Sequence, residues 1–203
     1  MRGAAPRRLA AFVAAAVVLG LAGCSAARVA KLFGGLLTRE DYTIQTERDI
    51  AEGAFVGYDI LEVARPDPGK GLSLPEGFAE KVARRSADRI YELNRSYPGR
   101  AFRAVGNVRP GSEMKVALDP TVLVTGVVVG GPVKQGRPEW LGLRVEFAGM
   151  GSRAVLGKAL VKTWVKPAAK GPMDQKEWDR VVEALAEGVA AFAGRGFTAD
   201  VSG

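Results

Sequence analysis

The sequence contains no histidine and only one cysteine among its 203 residues. Without histidine, neither a Ser-His-Asp nor a Cys-His arrangement can form, and no His-ligated zinc or haem site is available. One cysteine cannot form a disulfide within the chain or a multi-cysteine metal site. The hydrophobic fraction of 47% is too high for a fully disordered chain. Composition therefore excludes the commonest catalytic sites, which depend on histidine. The length of 203 residues is enough for one ordinary domain or two small ones.

Residues 1–23 have the composition of a secretory signal peptide rather than of a folded element. Three arginines lie within the first eight residues, and an uncharged, mostly apolar stretch follows over 9–23. This order is the signal-peptide pattern, and the apolar stretch is shorter than the roughly 20 residues that a transmembrane helix needs. The alternative is a short buried N-terminal helix, although domains rarely begin with charges followed by an all-round apolar stretch.

The end of this segment carries a motif that accounts for the single cysteine. Leu21-Ala22-Gly23-Cys24 resembles the lipobox of bacterial lipoproteins in all four positions. The resemblance implies cleavage before Cys24, a diacylglycerol thioether on its sulfur and acylation of the new amine. Three acyl chains exceed the two signals that stable anchoring requires. A free structural cysteine is the alternative, and the position of Cys24 directly after the small-residue site disfavours it.

The residue after the cysteine bears on which membrane would hold the protein. Ser25 occupies this position. By resemblance to the enterobacterial sorting rule, a residue other than aspartate there implies transfer to the outer membrane. We therefore expect an outer-membrane lipoprotein that faces the periplasm, with the inner membrane as the alternative location.

Removal of residues 1–23 would also change the charge balance. The full chain has 29 Lys and Arg residues against 22 Asp and Glu, a net charge of +7. Three basic residues and no acidic residue lie in 1–23, so the remainder carries 26 against 22, or +4. The most basic stretch, 80–100, alternates cations with acidic residues. This pattern indicates a solvated helix face, with contact to anionic lipid or polymer as the alternative, and nucleic acid is not an expected partner.

The first half of the remaining chain combines extended and helical patterns. Period-2 alternation and β-branched residues predict strands over 42–46 and 55–63. Ser73-Leu74-Pro75-Glu76 has the form of a capping box and predicts the start of an amphipathic helix. Tyr97-Pro98-Gly99 predicts the end of that helix.

The second half is dominated by alternating apolar segments. Five of these segments are predicted as strands: 101–105, 114–118, 121–129, 141–147 and 154–166. Asp174-Gln175-Lys176-Glu177 is a second capping pattern and predicts a final helix. Gly194 and Gly196 predict its end.

The order of these elements predicts an α+β fold. We expect a mostly antiparallel sheet with two amphipathic helices packed on one face, because no βαβα alternation is sustained. Residues 24–39 are predicted to form the lipid anchor and tether. Residues 40–203 contain no internal repeat and no Ser- or Pro-rich linker, and are predicted to form a single domain.

One glycine-rich segment matches the letters of a dinucleotide-binding fingerprint. Gly149-Met150-Gly151-Ser152-Arg153-Ala154 has G-x-G-x-x-A spacing, but a helix would have to begin there for its amides to face a pyrophosphate. A strand pattern follows instead, so the segment is predicted as a hairpin turn. We expect no cofactor, no metal ion and no catalytic residues, although composition does not exclude paired carboxylates.

Three residues are the candidates for an interaction surface. Trp164 lies out of phase with the apolar side of its predicted strand and is expected on the other sheet face. Arg85 and Arg89 lie in the basic stretch of the first helix, where a solvated helix face is the alternative interpretation.

The stretch 121–165 resembles a family of uncharacterised bacterial lipoproteins. Four short patterns carry the resemblance: Val124-Thr125-Gly126-Val127, the alternating segment 143–147, the turn Gly149-Met150-Gly151-Ser152 and the alternating segment 154–165. The layout is also similar to envelope lipoproteins related to the curli secretion subunit. The sequence has Pro167-Ala168-Ala169-Lys170-Gly171 where those families often carry an Asp-x-x-Thr-Gly turn. The resemblance implies an α+β domain that assembles with its own copies or with partners.

These observations favour a non-enzymatic, lipid-anchored protein that contacts another envelope component or itself. A membrane-anchored hydrolase or a binder of a small ligand is the first alternative, and it would need several polar residues that converge in a deep pocket. A secretion-pore subunit is the second alternative. It would need long membrane-facing strands flanked by aromatic girdles, and the sequence shows no such pair.

Overall fold

The main sheet of the protein has six strands, and two helices pack on one of its faces. The structure is a computed structural model that describes residues 41–97, 100–107, 120–134, 136–165 and 171–197. In chain order, the elements are β1 (Tyr42–Arg48), β2 (Ile60–Val63), α1 (Phe78–Ser96), β3 (Ala104–Asn107), β4 (Thr121–Gly130), β5 (Val133–Lys134), β6 (Arg137–Pro138), β7 (Trp140–Gly149), β8 (Val155–Trp164), α2 (Gln175–Ala193) and a 3₁₀ turn (Gly194–Gly196). The predicted α+β class and the helices on a single face are confirmed. Neither α1 nor α2 has the length and apolar composition that crossing a bilayer requires.

The strand order of the sheet is β1-β8-β7-β4-β2-β3. The pairs β1–β8, β8–β7 and β7–β4 are antiparallel, as predicted. β2 pairs in parallel with both β4 and β3, because α1 carries the chain from the end of β2 back to the start of β3. A separate two-stranded hairpin, β5–β6, lies between β4 and β7 in the chain.

The core lies between one sheet face and the two helices. β7 has the predicted alternation, with Leu141, Leu143, Val145 and Phe147 all at most 4% exposed. In β8, Val161 is fully buried and faces α2 at Gly188. A Cβ at Gly188 would overlap the Val161 side chain, so the absence of a side chain lets α2 approach the sheet closely.

The two predicted helix starts had different outcomes. At α2 the capping box is confirmed, since the Glu177 amide donates to Asp174 at 2.8 Å and the Asp174 amide donates to Glu177 at 2.9 Å. At α1 the predicted box is wrong, because the helix begins at Phe78 with no side-chain cap. Gly77 has φ of 72° and closes a turn in which the Phe78 amide donates to the Pro75 carbonyl at 3.2 Å. Glycine occupies this left-handed conformation without the Cβ penalty, so the turn replaces the box.

The predicted strand over 55–63 is correct only for its last four residues, which form β2. Residues 52–57 form turns, with Gly53 at φ 73° and Gly57 at φ 89°. Between them, Phe55 is 1% exposed, and its ring centroid lies 5.0 Å from that of Phe102. The strand-like pattern therefore came from a buried aromatic residue in an irregular segment. No strand forms there, because the two glycines turn the chain.

The other predicted strands lie close to the observed ones. The segments 42–46, 121–129, 141–147 and 154–166 correspond to β1, β4, β7 and β8. The short strand predicted over 101–105 lies a few residues later, at β3. The segment 114–118 lies outside the described residues.

Candidate interaction surface

One face of the sheet is not covered by either helix. In the described part of the chain, both helices lie on the other face, and alternate residues of β4, β7 and β8 remain partly or fully exposed. We call these residues the open face: Leu123, Thr125, Val127, Val129, Trp140, Arg144, Glu146, Ala148, Lys158, Leu160, Lys162 and Trp164. The face therefore mixes apolar and charged side chains rather than being uniformly polar.

Most charges in the middle of the open face are paired across strands. Lys158 on β8 lies 2.6 Å from Glu146 on β7, which is its register partner. Arg144 on β7 lies 3.2 Å from Glu47 on β1. These exposed pairs contribute little to stability. Because the charges neutralise one another, the exposed apolar side chains between them are the part of this surface with most to gain from contact with a partner.

At one end of the open face, two tryptophans are direct cross-strand neighbours. Trp140 begins β7 and Trp164 ends β8, and they are register partners. The predicted exposure of Trp164 is confirmed, since 58% of the residue is accessible. The Lys162 ammonium lies 4.7 Å from the ring centroid of Trp140, a cation–π distance. The Trp140 ring also lies close to Gly131, where a Cβ would overlap the indole.

Trp140 and Lys162 were not predicted from the sequence as members of this surface. A signal for the tryptophan pair was present, because Trp140 and Trp164 lie at equal sequence distances from Ser152 in the predicted hairpin turn. In an antiparallel pair, residues equidistant from the turn face each other. The hairpin over 149–154 is confirmed, with Gly151 at φ 89° and the Gly149 amide donating to the Ala154 carbonyl at 2.9 Å.

Arg85 and Arg89 lie on α1, on the helical layer rather than on the open face with Trp164. Arg85 lies 2.9 Å from Glu183 of α2. Arg89 lies 2.9 Å from Glu92 and 3.2 Å from Glu183. Burial lowers the pKa of Arg89, but the hydrogen bonds and charges of Glu92 and Glu183 outweigh this, so its pKa lies above the ordinary value. Both arginines therefore link α1 to α2, and the structure does not bring them together with Trp164.

Glu187 of α2 lies next to this ion-pair network, and its side chain is more buried than those of Glu183 and Glu92. Its side chain is 10% exposed, and its carboxylate is 4.0 Å from the Arg89 guanidinium. Burial raises the pKa of Glu187, Arg89 lowers it, and the negative charges of Glu183, Asp41 and Glu92 raise it further. The net direction is upward from the ordinary value of 4.5.

We expect Glu187→Gln to raise the melting temperature at neutral pH and to have a smaller effect in acid. Because the folded pKa of Glu187 is raised, its favourable contribution is fully present below pH 4.5 and is lost as the pH rises through the folded pKa. Glutamine resembles the protonated form at every pH. Thermal unfolding of both proteins from about pH 4 to pH 8 measures the difference, and a gain that does not grow with pH would contradict the assignment. Glu76→Gln, at an exposed carboxylate outside this ion-pair network, is the control.

Cavities among the described residues include one in the core and one at the surface of the helical layer. One lies between the sheet and the helices, has a volume of about 10 Å³ and includes Ser86, Val82 and Val145 in its lining. It holds one water at most. A groove between α1 and α2 has a volume of about 280 Å³. Lys81 in this groove lies 3.4 Å from Asp179, and Arg85 is paired as described above.

Among the described residues, no group of three or more Cys, His, Asp or Glu side chains is arranged to hold a metal ion. Cys24 and the three residues before it, Leu21, Ala22 and Gly23, lie outside the described residues. The lipidation motif therefore stays a prediction from the sequence.

No protein-family model matches the chain, and no curated protein matches it. Among solved structures, the chain is similar to the PelC dodecamer from Paraburkholderia phytofirmans. The identity is 13% and the TM-score 0.48, over 76% of this chain and 98% of that one. A single-substitution variant of the same PelC dodecamer gives 14% identity and a TM-score of 0.47, over 76% and 96% of the two chains. A neuraminyllactose-binding hemagglutinin homolog from Helicobacter pylori gives 8% identity and a TM-score of 0.37, over 81% and 91%. We infer no function from similarities at this level.

Proposed function

We propose that the protein is a lipid-anchored component of the bacterial cell envelope that binds another envelope protein, or its own copies, through the open face and performs no catalysis. The observation that carries the interaction role is the open face itself. Its apolar side chains, with Val127 40% and Trp164 58% exposed, lie among charges that are paired with one another. Contiguous apolar residues rimmed by polar ones are typical of interaction sites.

The anchor is proposed from the lipobox at Leu21–Cys24. In this proposal, residues 1–23 are removed, Cys24 carries the lipid, 24–39 form the tether, and the domain from residue 40 onward faces the periplasm from the outer membrane. Seventeen residues separate Cys24 from Tyr42, and they reach at most about 60 Å when fully extended. Such a tether keeps the domain next to the membrane that holds it.

We propose a non-catalytic role because the carboxylates that the fold brings close to other charged groups form ion pairs with lysine or arginine. The carboxylates of Glu146 and Glu47 on the sheet and of Glu183 between the helices all accept ion pairs. A hydrolase would instead need carboxylates or a nucleophile that converge in a pocket. The cavity beside Ser86 has room for one water, and in the larger groove between α1 and α2 Lys81 pairs with Asp179 and Arg85 with Glu183.

Site-specific photo-crosslinking in cells tests the interaction role. A photo-reactive residue is placed at Val127 on the open face, and the control is placed at Tyr91 on α1, whose exposure of 46% is similar. We expect adducts from position 127 and few from position 91. An adduct of twice the monomer mass indicates self-association, and any other discrete mass indicates a partner. Equal labelling from both positions, or no discrete adduct from position 127, would refute the proposal.

A further inference from the structure

The open face ends in a corner of distinctive composition. Trp140 and Trp164 lie there with Lys162, and the β5–β6 hairpin leads into Trp140. Hydrogen bonds hold the hairpin at this end: the Gly131 amide donates to the Trp140 carbonyl at 3.0 Å, the Glu139 amide to the Pro132 carbonyl at 2.9 Å, and the Val165 amide to the Glu139 carbonyl at 3.1 Å. We call the side chains of Val133, Lys134, Trp140, Lys162 and Trp164 the tryptophan corner.

The tryptophan corner lies at the end of the domain where the predicted tether enters. Tyr42 begins β1 and is the register partner of Thr163, the residue before Trp164. The start of β1 therefore lies at the same end of the sheet as the tryptophan corner. This placement follows from the antiparallel pairing of β1 with β8.

Its chemistry is that of a membrane–water interface. Trp164 is 58% exposed, and Val133, two residues beyond the Gly131 that bonds to Trp140, is 59% exposed, so an indole and an isopropyl group are both accessible at this end of the sheet. Tryptophan is enriched at the headgroup level of bilayers because its ring is apolar and its N–H is a donor. Lysine beside it extends an apolar stem and places its charge among the lipid phosphates.

The charge of Lys162 adds a second argument for lipid. Its ammonium lies over the Trp140 ring, and the described part of the chain offers it no carboxylate partner. Lys134, by contrast, is paired with Glu139. A cation that lies over a tryptophan ring and has no carboxylate partner among the described residues is suited to an anionic headgroup, and such a contact adds to apolar insertion at the bilayer surface.

We propose that the tryptophan corner rests in the headgroup region of the membrane that holds the lipid anchor. Trp164 and Val133 insert, and Lys162 faces lipid phosphate. This inference relies on the proposed anchor, since a tether of this length keeps the corner close to the bilayer and raises its effective concentration there. In this orientation, the middle of the open face, around Val127 and Arg144, remains available for a protein partner.

The test uses the mature, lipidated full-length chain in vesicles of phosphatidylethanolamine and phosphatidylglycerol. Part of the lipid carries bromine on acyl carbons near the headgroup, which quenches the fluorescence of tryptophans within contact range. We expect quenching of the native protein and about a twofold or larger fall in the quenched fraction for Trp164→Phe. Trp178→Phe is the matched control, because Trp178 packs edge-on against Phe78 in the helical layer, with ring centroids 5.4 Å apart. We expect Trp178→Phe to leave the fluorescence quenched by bromolipid as large as in the native protein.

A second variant tests the corner without altering any tryptophan. Val133→Asp places a charge at an exposed position that tolerates it in the folded state, and we expect it to reduce quenching while the far-UV spectrum stays native.

Vesicle flotation separates failure of this inference from failure of the anchor. Protein that floats with the vesicles but shows no quenching that depends on Trp164 would overturn the membrane contact and leave the anchor intact. Protein that carries no lipid and does not float would overturn the proposed function, and this inference with it. A photo-reactive residue at position 164 should label lipid in cells, and a discrete protein adduct would instead assign the corner to a partner.

Discussion

Replacing Cys24 with alanine is expected to abolish fatty-acid labelling of the protein and to release it from the membrane fraction. The thioether requires the cysteine sulfur, and the chain has no second cysteine to replace it. Neither helix of the described domain could cross a bilayer instead. A single acyl chain binds membranes weakly and three bind stably, so the loss of all three should be visible as a complete redistribution. Metabolic labelling with palmitate and fractionation of cells measure both effects.

Two substitutions of Ser25 are the controls for this experiment. Ser25→Ala is expected to keep both labelling and membrane association, because it leaves Leu21–Cys24 unchanged. By the enterobacterial sorting rule, Ser25→Asp is expected to keep the label and to move the protein to the inner-membrane fraction. Labelling that persists in the Cys24→Ala protein would exclude the anchor. The domain would then need another route to the envelope.

Replacing Phe55 with alanine is expected to lower the free energy of unfolding by about 3–5 kcal/mol, the range for a fully buried aromatic. Its ring lies 5.0 Å from that of Phe102, 5.7 Å from that of Phe197 and 6.2 Å from that of Phe147, all between centroids. The ring also fills the space left by Gly196, where a Cβ would come within 2.6 Å of it. Removal therefore opens a cavity that connects the segment 50–58 to the core. Urea denaturation of the full chain, followed by circular dichroism, measures the change.

Val56→Ala is the matched control for Phe55→Ala. Val56 is the next residue in the same turn and is 76% exposed, so truncation should change the unfolding free energy by no more than about 0.5 kcal/mol. Equal effects at the two positions would show that the turn stabilises the protein through its backbone rather than through the Phe55 ring. The comparison isolates burial, because both residues lie in the same turns between Gly53 and Gly57.

The strands that could be predicted are those whose period-2 pattern is imposed by burial on one face. In β7, Leu141 and Phe147 alternate with Arg144 and Glu146 because one side packs on the helices and the other faces water. The same alternation placed Trp164 on the outer face. Capping chemistry predicted α2 correctly, because Asp174 and Glu177 lie at the spacing that satisfies two backbone amides.

The pattern failed where the backbone conformation depended on glycine or on distant residues. Gly77 replaced the expected cap of α1 by a turn, and the buried Phe55 resembled a strand residue although it lies within the turns of residues 52–57. The parallel pairing of β2 with β3 and β4 was also not predicted. In the chain, α1 separates β2 from β3, and a segment outside the described residues separates β3 from β4. Local patterns contain no information about which strand lies beside which.

By itself, the sequence determined the absence of histidine chemistry, the lipobox-like motif that ends at Cys24 and the amphipathic elements, because each depends on residue type and short spacing. Only the tertiary structure decided that Arg85 and Arg89 link the two helices, while Trp164 joins Trp140 and Lys162 on the other side of the sheet. The physical reason is that helix packing covers one face of the sheet and strand pairing brings the ends of β7 and β8 together. Residues far apart in the chain thereby form one exposed corner beside the start of β1.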